Sequence, residues 1–393
     1  MRKRVVMVFI IAVFISFFST NYIFAKAQSE SDGEKDFATV TDEIYNELNT
    51  EEIEKYFNDL IPPFAKSGNL KDFIGAMING QSENYDTIFK YVFSILTSGF
   101  KEQLPAFVSL FVLIVFASLV KLISPSDKLG DVSELANFAI FTAIICIVAG
   151  IVYGTISKAE ATLDKLSGFI EAVYPVVMTL TVACGANNAA ASVTPTALFI
   201  SDTVIILVKT IVFPIIVLML VVSIVSNLNK SIKLKNLFGF LSSFLKWSIG
   251  LFTVIFSVFL GLNGLNAKSL DGLGFKTAKY TVGTTLPLVG GVVGEGMNMI
   301  IASAAIIKNA FGAFAVLIVF SVVLAPVAEI IVLTLVLKLI AAVTEPFSDG
   351  RTGEFITSGI TIINFIIAAL VIVAFMYVVT FVAIICCAQY VFA

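Results

Sequence analysis

The sequence predicts an all-α, polytopic membrane protein of about seven or eight membrane segments, with a small helical extracytoplasmic region at its N-terminus. Three observations carry that prediction. Of the 393 residues, 58% are hydrophobic and only 13% charged, well away from the composition of water-soluble domains. Eight apolar stretches approach or exceed the roughly 20 residues needed to cross a hydrocarbon core. The segment from residue 28 to about 100 is polar and acidic, different in kind from the apolar remainder of the chain.

Met1-Arg2-Lys3-Arg4, the apolar run Val5 to Phe18 and Ala25-Lys26-Ala27 have the form of a signal peptide, so residues 1–27 are expected to be removed. An uncleaved segment would be an anchor of the same orientation, and either way residues 28–100 lie outside the cytoplasm. In that region Ile44 and Leu48, then Ile53, Tyr56, Phe57 and Leu60, recur at helical spacing, and Pro62-Pro63 ends the second run. "NLKDFIGAMING" and "NYDTIFKYVFSILTSGF" read as two more short amphipathic helices, either part of a helical cap or lying flat in the membrane interface.

Residues 101–393 form the transmembrane domain, with candidate segments near 104–123, 135–156, 168–186, 200–226, 246–266, 284–308, 312–341 and 356–388. "NKSIKLK" holds Lys230, Lys233 and Lys235 without an acid, which places that loop in the cytoplasm. An odd number of crossings must then precede it, although four candidates do. The segment 168–186, carrying Glu171 and Pro175, is therefore expected to enter and return. Alternation from Lys233 puts Glu345, Asp349 and Glu354 outside and the C-terminus inside. The Pro214 and Pro326 segments would then run in opposite directions, as an inverted repeat does.

Several function classes drop out. A net charge of −3 offers no basic stripe for nucleic acid. The absence of histidine removes the commonest general base and imidazole metal sites, and no HExxH or nucleophile–base pairing stands in for them. Cys146, Cys184, Cys386 and Cys387 lie in apolar runs without CxxC spacing. No catalytic, cofactor-binding or metal-binding residue is expected.

The candidate interface or pathway residues are the charges and small residues of the apolar segments. Glu171, Asp202, Lys209, Glu295 and Glu329 are expensive at membrane depth unless functional or paired, whereas Lys308 and Lys338, nearer segment ends, can snorkel. "LPLVGGVVGEG" lacks the GK[ST] of a phosphate loop, and its Gly290 and Gly294 make a helix-packing GxxxG pair. Gly291, Glu295, Asn298, Ala302, Ala305 and Asn309 come at steps of four and three, so one small, polar stripe faces either water or a partner helix. Pro326 frees a backbone carbonyl one turn from Glu329.

These pieces together, above all "NLKDFIGAMINGQSENYDTIFKYVFSIL" and "LPLVGGVVGEGMNMIIASAAIIKNAFG", resemble the stage III sporulation protein AE family of endospore-forming bacteria. The resemblance covers essentially the whole mature chain and brings no active-site residues with it. It implies a permease-like protein of the mother-cell membrane around the forespore, within a multi-protein channel apparatus. The implied partners are the other stage III AA to AH proteins, one of them an ATPase, and the forespore stage II protein Q; a homo-oligomer also fits. The alternative is a self-sufficient secondary transporter using Asp202, Glu295 and Glu329.

Overall fold

The computed structural model describes residues 44, 48, 50–60, 69–78, 85–123, 130–185, 194–228, 234–258, 290–344 and 350–387. The signal-peptide segment 1–27 and "LPLVG" at the head of the glycine run lie outside the described residues, apart from Gly290. The described elements are helices: α1 (Glu51–Leu60), α2 (Leu70–Ile78), α3 (Tyr85–Ile123), α4 (Gly130–Ala183) and α5 (Thr194–Leu207). A π-helical turn, Val208–Val212, joins α5 to α6 (Phe213–Leu228). Then come α7 (Lys235–Val258), α8 (Gly290–Thr344) and α9 (Arg351–Cys387).

Six of these helices are long and apolar enough to cross a membrane. The difference from the eight apolar stretches has one cause. Segments 135–156 and 168–186 are one 54-residue helix, α4, and segments 284–308 and 312–341 fall, from Gly290 onward, in one 55-residue helix, α8. Segment 168–186 is therefore not re-entrant: α4 passes through Pro175 without turning back. The parity problem disappears with it, because three crossings precede the lysine loop.

The direction of each helix is fixed by what touches what. Phe141 meets Phe355 with ring centroids 6.2 Å apart, and Val148 lies against Gly359. The far end of α4 lies near Lys308, which bonds to Ile384 and Ile385. So α4 and α9 are parallel, and α8, with Phe314 beside Phe169 and Glu329 beside Lys158, runs against them. Tyr91 bonds with Ser321, and Gly99 abuts Glu329, which makes α3 parallel to α8. Asp202 meets Tyr377 while Lys209 meets Asp164, so α5 and α6 also run with α8. Lys235 lies 4.0 Å from Glu354 and Lys246 sits over Phe365, so α7 runs with α9.

Two expectations are overturned by this geometry. Glu354 stands at the same end of the bundle as Lys235, so that acid is on the side of the lysine loop, and the C-terminal end of α9 is at the opposite end. The Pro214 and Pro326 helices run in the same direction, which removes the inverted repeat. Fusing two stretches into α8 takes away one crossing and reverses everything after it.

A helix of 54 residues is about 80 Å long, against a hydrocarbon core of about 30 Å, so α4 and α8 cannot lie wholly within the bilayer. The membrane half is the one nearer Lys235. There α3 exposes Val108, Val112 and Phe116, α7 exposes Phe240 and Trp247, and α8 exposes Leu335 and Leu339. The other half is wrapped by α1 and α2, whose Glu51, Glu52, Glu54 and Asp72 are exposed and require water. This half is the cap, on which Phe93, Val182 and Phe199 are exposed as well. "NLKDFIGAMING" folds onto that cap as α2, whereas "NYDTIFKYVFSILTSGF" is not a separate helix but the first turns of α3, which runs through residue 100 unbroken.

The cap closes around Phe314 of α8. Its ring has Phe57 of α1 at 6.0 Å, Phe73 of α2 at 5.9 Å and Phe169 of α4 at 6.0 Å, in tilted or edge-on geometries that favour aromatic pairs. Tyr56 lies so close to Gly168 that a Cβ there would collide with its hydroxyl oxygen.

The topology predicts a labelling pattern. In a chain with its four cysteines replaced, Lys71→Cys and Lys165→Cys are expected to react with an impermeant thiol reagent added outside. Lys235→Cys and Thr352→Cys should both react only after permeabilisation, and opposite behaviour of those two would overturn the shared end.

Candidate functional site

Of the charges flagged in the sequence, Glu329, Lys209, Asp202 and Lys308 are gathered into ties between helices. The apolar run of α4 ends at Ile156, and Lys158 stands two residues on, at the start of polar sequence. Its ammonium donates to Glu329 of α8 at 2.9 Å and stands 3.6 Å from Glu102 of α3. One lysine thus joins three helices. Glu329 is three-quarters covered, and a Cβ placed on Gly99 of α3 would stand 3.4 Å from its Cα and Cγ, whereas Lys158 and Glu102 are half open. α3 and α8 therefore pack closely at Gly99, where a Cβ would just touch Glu329.

Lys209 makes the next tie, to Asp164 of α4. It sits in the π turn, whose origin is Pro214: proline has no N–H, and its ring crowds the carbonyl four residues back. The Phe213 N–H reaches back to the Val208 carbonyl, five residues away, and the widened turn absorbs the conflict. Asp202, two turns earlier, accepts a 2.6 Å bond from the wholly buried Tyr377 hydroxyl of α9, and Ser201 and Thr380 meet at 3.5 Å beside it. Glu171 lies near this pair on α4, its side chain exposed and within reach of the Ser167 hydroxyl.

Lys308, whose sequence position suggests snorkelling, is completely buried. Its ammonium donates to the carbonyls of Ile384 and Ile385, both at 3.1 Å. The last four carbonyls of a helix have no partner in their own helix, and the negative end of the helix dipole favours a cation there. Lys308 therefore caps the C-terminal end of α9 from inside α8. Gly312, one turn on, makes this approach feasible: a Cβ there would collide with the Ile385 side chain. Nearby Cys184 is shielded from water, which pushes its thiol up to about 11 although Lys308 pulls the other way; it is a packing residue, not a nucleophile.

The small-residue stripe divides. Gly290, Gly291, Gly294, Glu295 and Asn298 form the first turns of α8. Ala302, Ala305 and Asn309 are half-buried, and the fully buried face of α8 is the adjacent one of Ser303, Ile307, Lys308 and Phe311. Asn309 has a buried side-chain oxygen without a hydrogen-bond partner among the described residues. Pro326 stays inside α8 one turn from Glu329. The structure thus brings Glu329, Lys158 and Glu102 together, and separately Asp202, Tyr377 and Glu171. Among the described residues no group of three potential ligands could hold a metal ion.

Beside the first cluster is a recess of about 180 Å3 between α3, α4 and α8, lined by Gln103, Gly150, Gly154, Lys158, Glu329 and Leu333. Of these, Glu329 alone is singled out by the sequence as a candidate; the i, i+4 glycines of α4 are the signal that points to the groove.

Two substitutions test the cap of α9. Lys308→Met keeps the length of the side chain but leaves two buried carbonyls unpaired, an expected loss of about 2 kcal/mol. Gly312→Val drives a methyl into Ile385, an expected loss of about 1–3 kcal/mol. Both should lower the thermal unfolding midpoint of the purified protein, and an unchanged midpoint in Lys308→Met would remove the capping role.

The family described as Stage III sporulation protein AE matches residues 68–388. A relative from Bacillus subtilis (strain 168), the Stage III sporulation protein AE of that organism, is 25% identical over 338 residues, covering 84% of each chain. No solved structure matches. With a match that runs from α2 to the end of α9, this multi-pass membrane chain belongs to the stage III sporulation protein AE family.

Proposed function

We propose that the chain is an integral membrane component of a multi-protein sporulation channel or transport complex between mother cell and forespore, and not a carrier acting alone. The observation that carries this reading is the engagement of its membrane-boundary acids within the chain. Glu329 is held by Lys158, and Asp202 by the Tyr377 hydroxyl. An ion- or proton-coupled carrier needs carboxylates that exchange their partner during the cycle. Here these two carboxylates tie one helix to another, which is the work of a scaffold.

The cap supports the same reading. It raises α4, α8 and α9 beyond the bilayer on the side where residues 28–100 are exported, towards the space in which partners from the other membrane would be met. The partners in this proposal are the other stage III AA to AH proteins and the forespore stage II protein Q. Energy would come from a partner ATPase, because the chain has no GK[ST] phosphate loop. The beginning of α8, from Gly290 to Asn309, is the proposed subunit interface. Its half-buried Ala302 and Ala305 admit a close neighbour.

The test is to make Glu329→Gln, Asp202→Asn and Glu295→Gln singly and to follow both assembly and spore maturation. The scaffold reading expects Glu329→Gln to lose a half-exposed ion pair worth on the order of 1 kcal/mol. Co-purification with the partners and the yield of heat-resistant spores should then fall together, by about fivefold. Intact assembly with lost transport would favour the carrier, and gradient-driven uptake by the chain alone in vesicles would overturn the proposal.

A further inference from the structure

We propose that the recess between α3, α4 and α8 is a binding site for one outer-leaflet phospholipid whose headgroup carries a primary ammonium, such as phosphatidylethanolamine. Gly150 and Gly154 form a GxxxG pair on α4, a spacing that ordinarily seats a neighbouring helix. Here no described helix of this chain fills it: a Cβ built on either glycine meets nothing within 4 Å. This is unlike Gly99, Gly168 and Gly312, each of which is closed by a neighbouring residue. The groove therefore faces the bilayer with its floor bare.

Its depth and charge select the occupant. From Gly150 to Lys158 is about 12 Å of helix, and half of a hydrocarbon core is about 15 Å. Lys158 stands just past the apolar run, so the groove spans the upper part of the outer leaflet and ends at the headgroup level. There Glu102 and Glu329 flank Lys158, within 3.6 Å and at 2.9 Å. A negative–positive–negative arrangement is complementary to a zwitterion: the lipid phosphate meets the Lys158 ammonium, and the lipid ammonium donates to Glu102 and to the outer side of Glu329. An anionic glycerol headgroup would set its phosphate against two carboxylates without a compensating cation. A trimethylammonium has no N–H to donate.

Size agrees. A volume of about 180 Å3 is below the roughly 300–1,000 Å3 of sites that enclose whole small molecules, and suits the glycerol end and the first methylenes of one chain. A partner helix would need a groove running the full thickness of the core, and this one stops after about two turns at a charged cluster.

The experiment uses the full chain, purified in detergent and examined by native mass spectrometry with added lipids of defined headgroup. Gly154→Leu and Gly150→Leu place a side chain in open space, so both should retain the wild-type unfolding midpoint while losing bound lipid about tenfold. Glu102→Gln should reduce the preference for phosphatidylethanolamine over phosphatidylglycerol by about threefold and leave chain binding intact. Soluble phosphoethanolamine should not displace the lipid, because it leaves the groove empty. Equal retention of phosphatidylglycerol, undiminished lipid in the leucine variants, displacement by phosphoethanolamine, or a change of oligomeric state in Gly154→Leu in place of lipid loss would each overturn the site.

Discussion

A continuous helix of about 80 Å has to be accommodated by a hydrocarbon core of about 30 Å, and most of this architecture stems from that mismatch. The backbone of α4 satisfies its own hydrogen bonds in lipid and in water alike, so nothing obliges the helix to end at the membrane surface. What does change at the surface is the side-chain requirement. In the membrane half, outward-facing residues include Val, Phe and Leu; above it, α1 and α2 cover part of the same helices while Phe93 and Phe199 stay exposed. The two short helices present acids to solvent and Phe57, Phe73 and Ile53 to the helices behind them. α1 and α2 thus bury one apolar face of those helices behind an acidic surface.

The charges obey the same division. A bare carboxylate at mid-membrane costs several kcal/mol, and its retention usually signals function. Glu329 escapes much of that cost because α8 places it level with Lys158, where α4 leaves the apolar zone. Its worth there is modest. Lys158 is half open, and an ion pair with one exposed partner contributes on the order of 1 kcal/mol. Lys308 is a different case. Buried without exposure, it is sustained by carbonyls at the negative end of a helix dipole, and removing it would leave those acceptors unpaired.

The fold class can be read from composition and periodicity, because it depends on residues adjacent in sequence. Helix continuity cannot. The polar interval Lys158 to Lys165 looks like a loop to a hydropathy window, yet backbone hydrogen bonding is indifferent to side-chain polarity, and α4 runs straight through it. Breaking α4 at that interval turns a spanning helix into a re-entrant segment, and breaking α8 reverses the sidedness of everything after it. The site is legible only in part. Asp202, Lys209 and Glu329 announce themselves as charges among apolar residues. Their partners Tyr377, Asp164 and Lys158 do not, lying 175, 45 and 171 residues away. Lys308 resembles a snorkelling lysine because its burial depends on the end of α9, a separation of 76 residues that no local pattern encodes.

The glycines show why residue type alone underdetermines function. In sequence, Gly290 and Gly294 and the pair Gly150 and Gly154 are the same motif, and Gly99, Gly168 and Gly312 are ordinary singles. In the fold the singles are the closed ones: a Cβ at Gly168 or Gly312 would collide with a tyrosine hydroxyl or an isoleucine side chain, and one at Gly99 would touch Glu329. The Gly150–Gly154 motif, by contrast, has no partner helix among the described residues. A close-packing glycine resists every substitution in proportion to added volume, through loss of stability. A glycine that borders open space tolerates added volume in the isolated protein and resists it only when something else must enter that space. Stability measured without the occupant, set against binding measured with it, therefore separates the two kinds. It does so without reference to any charged residue, whose replacement would disturb both quantities at once.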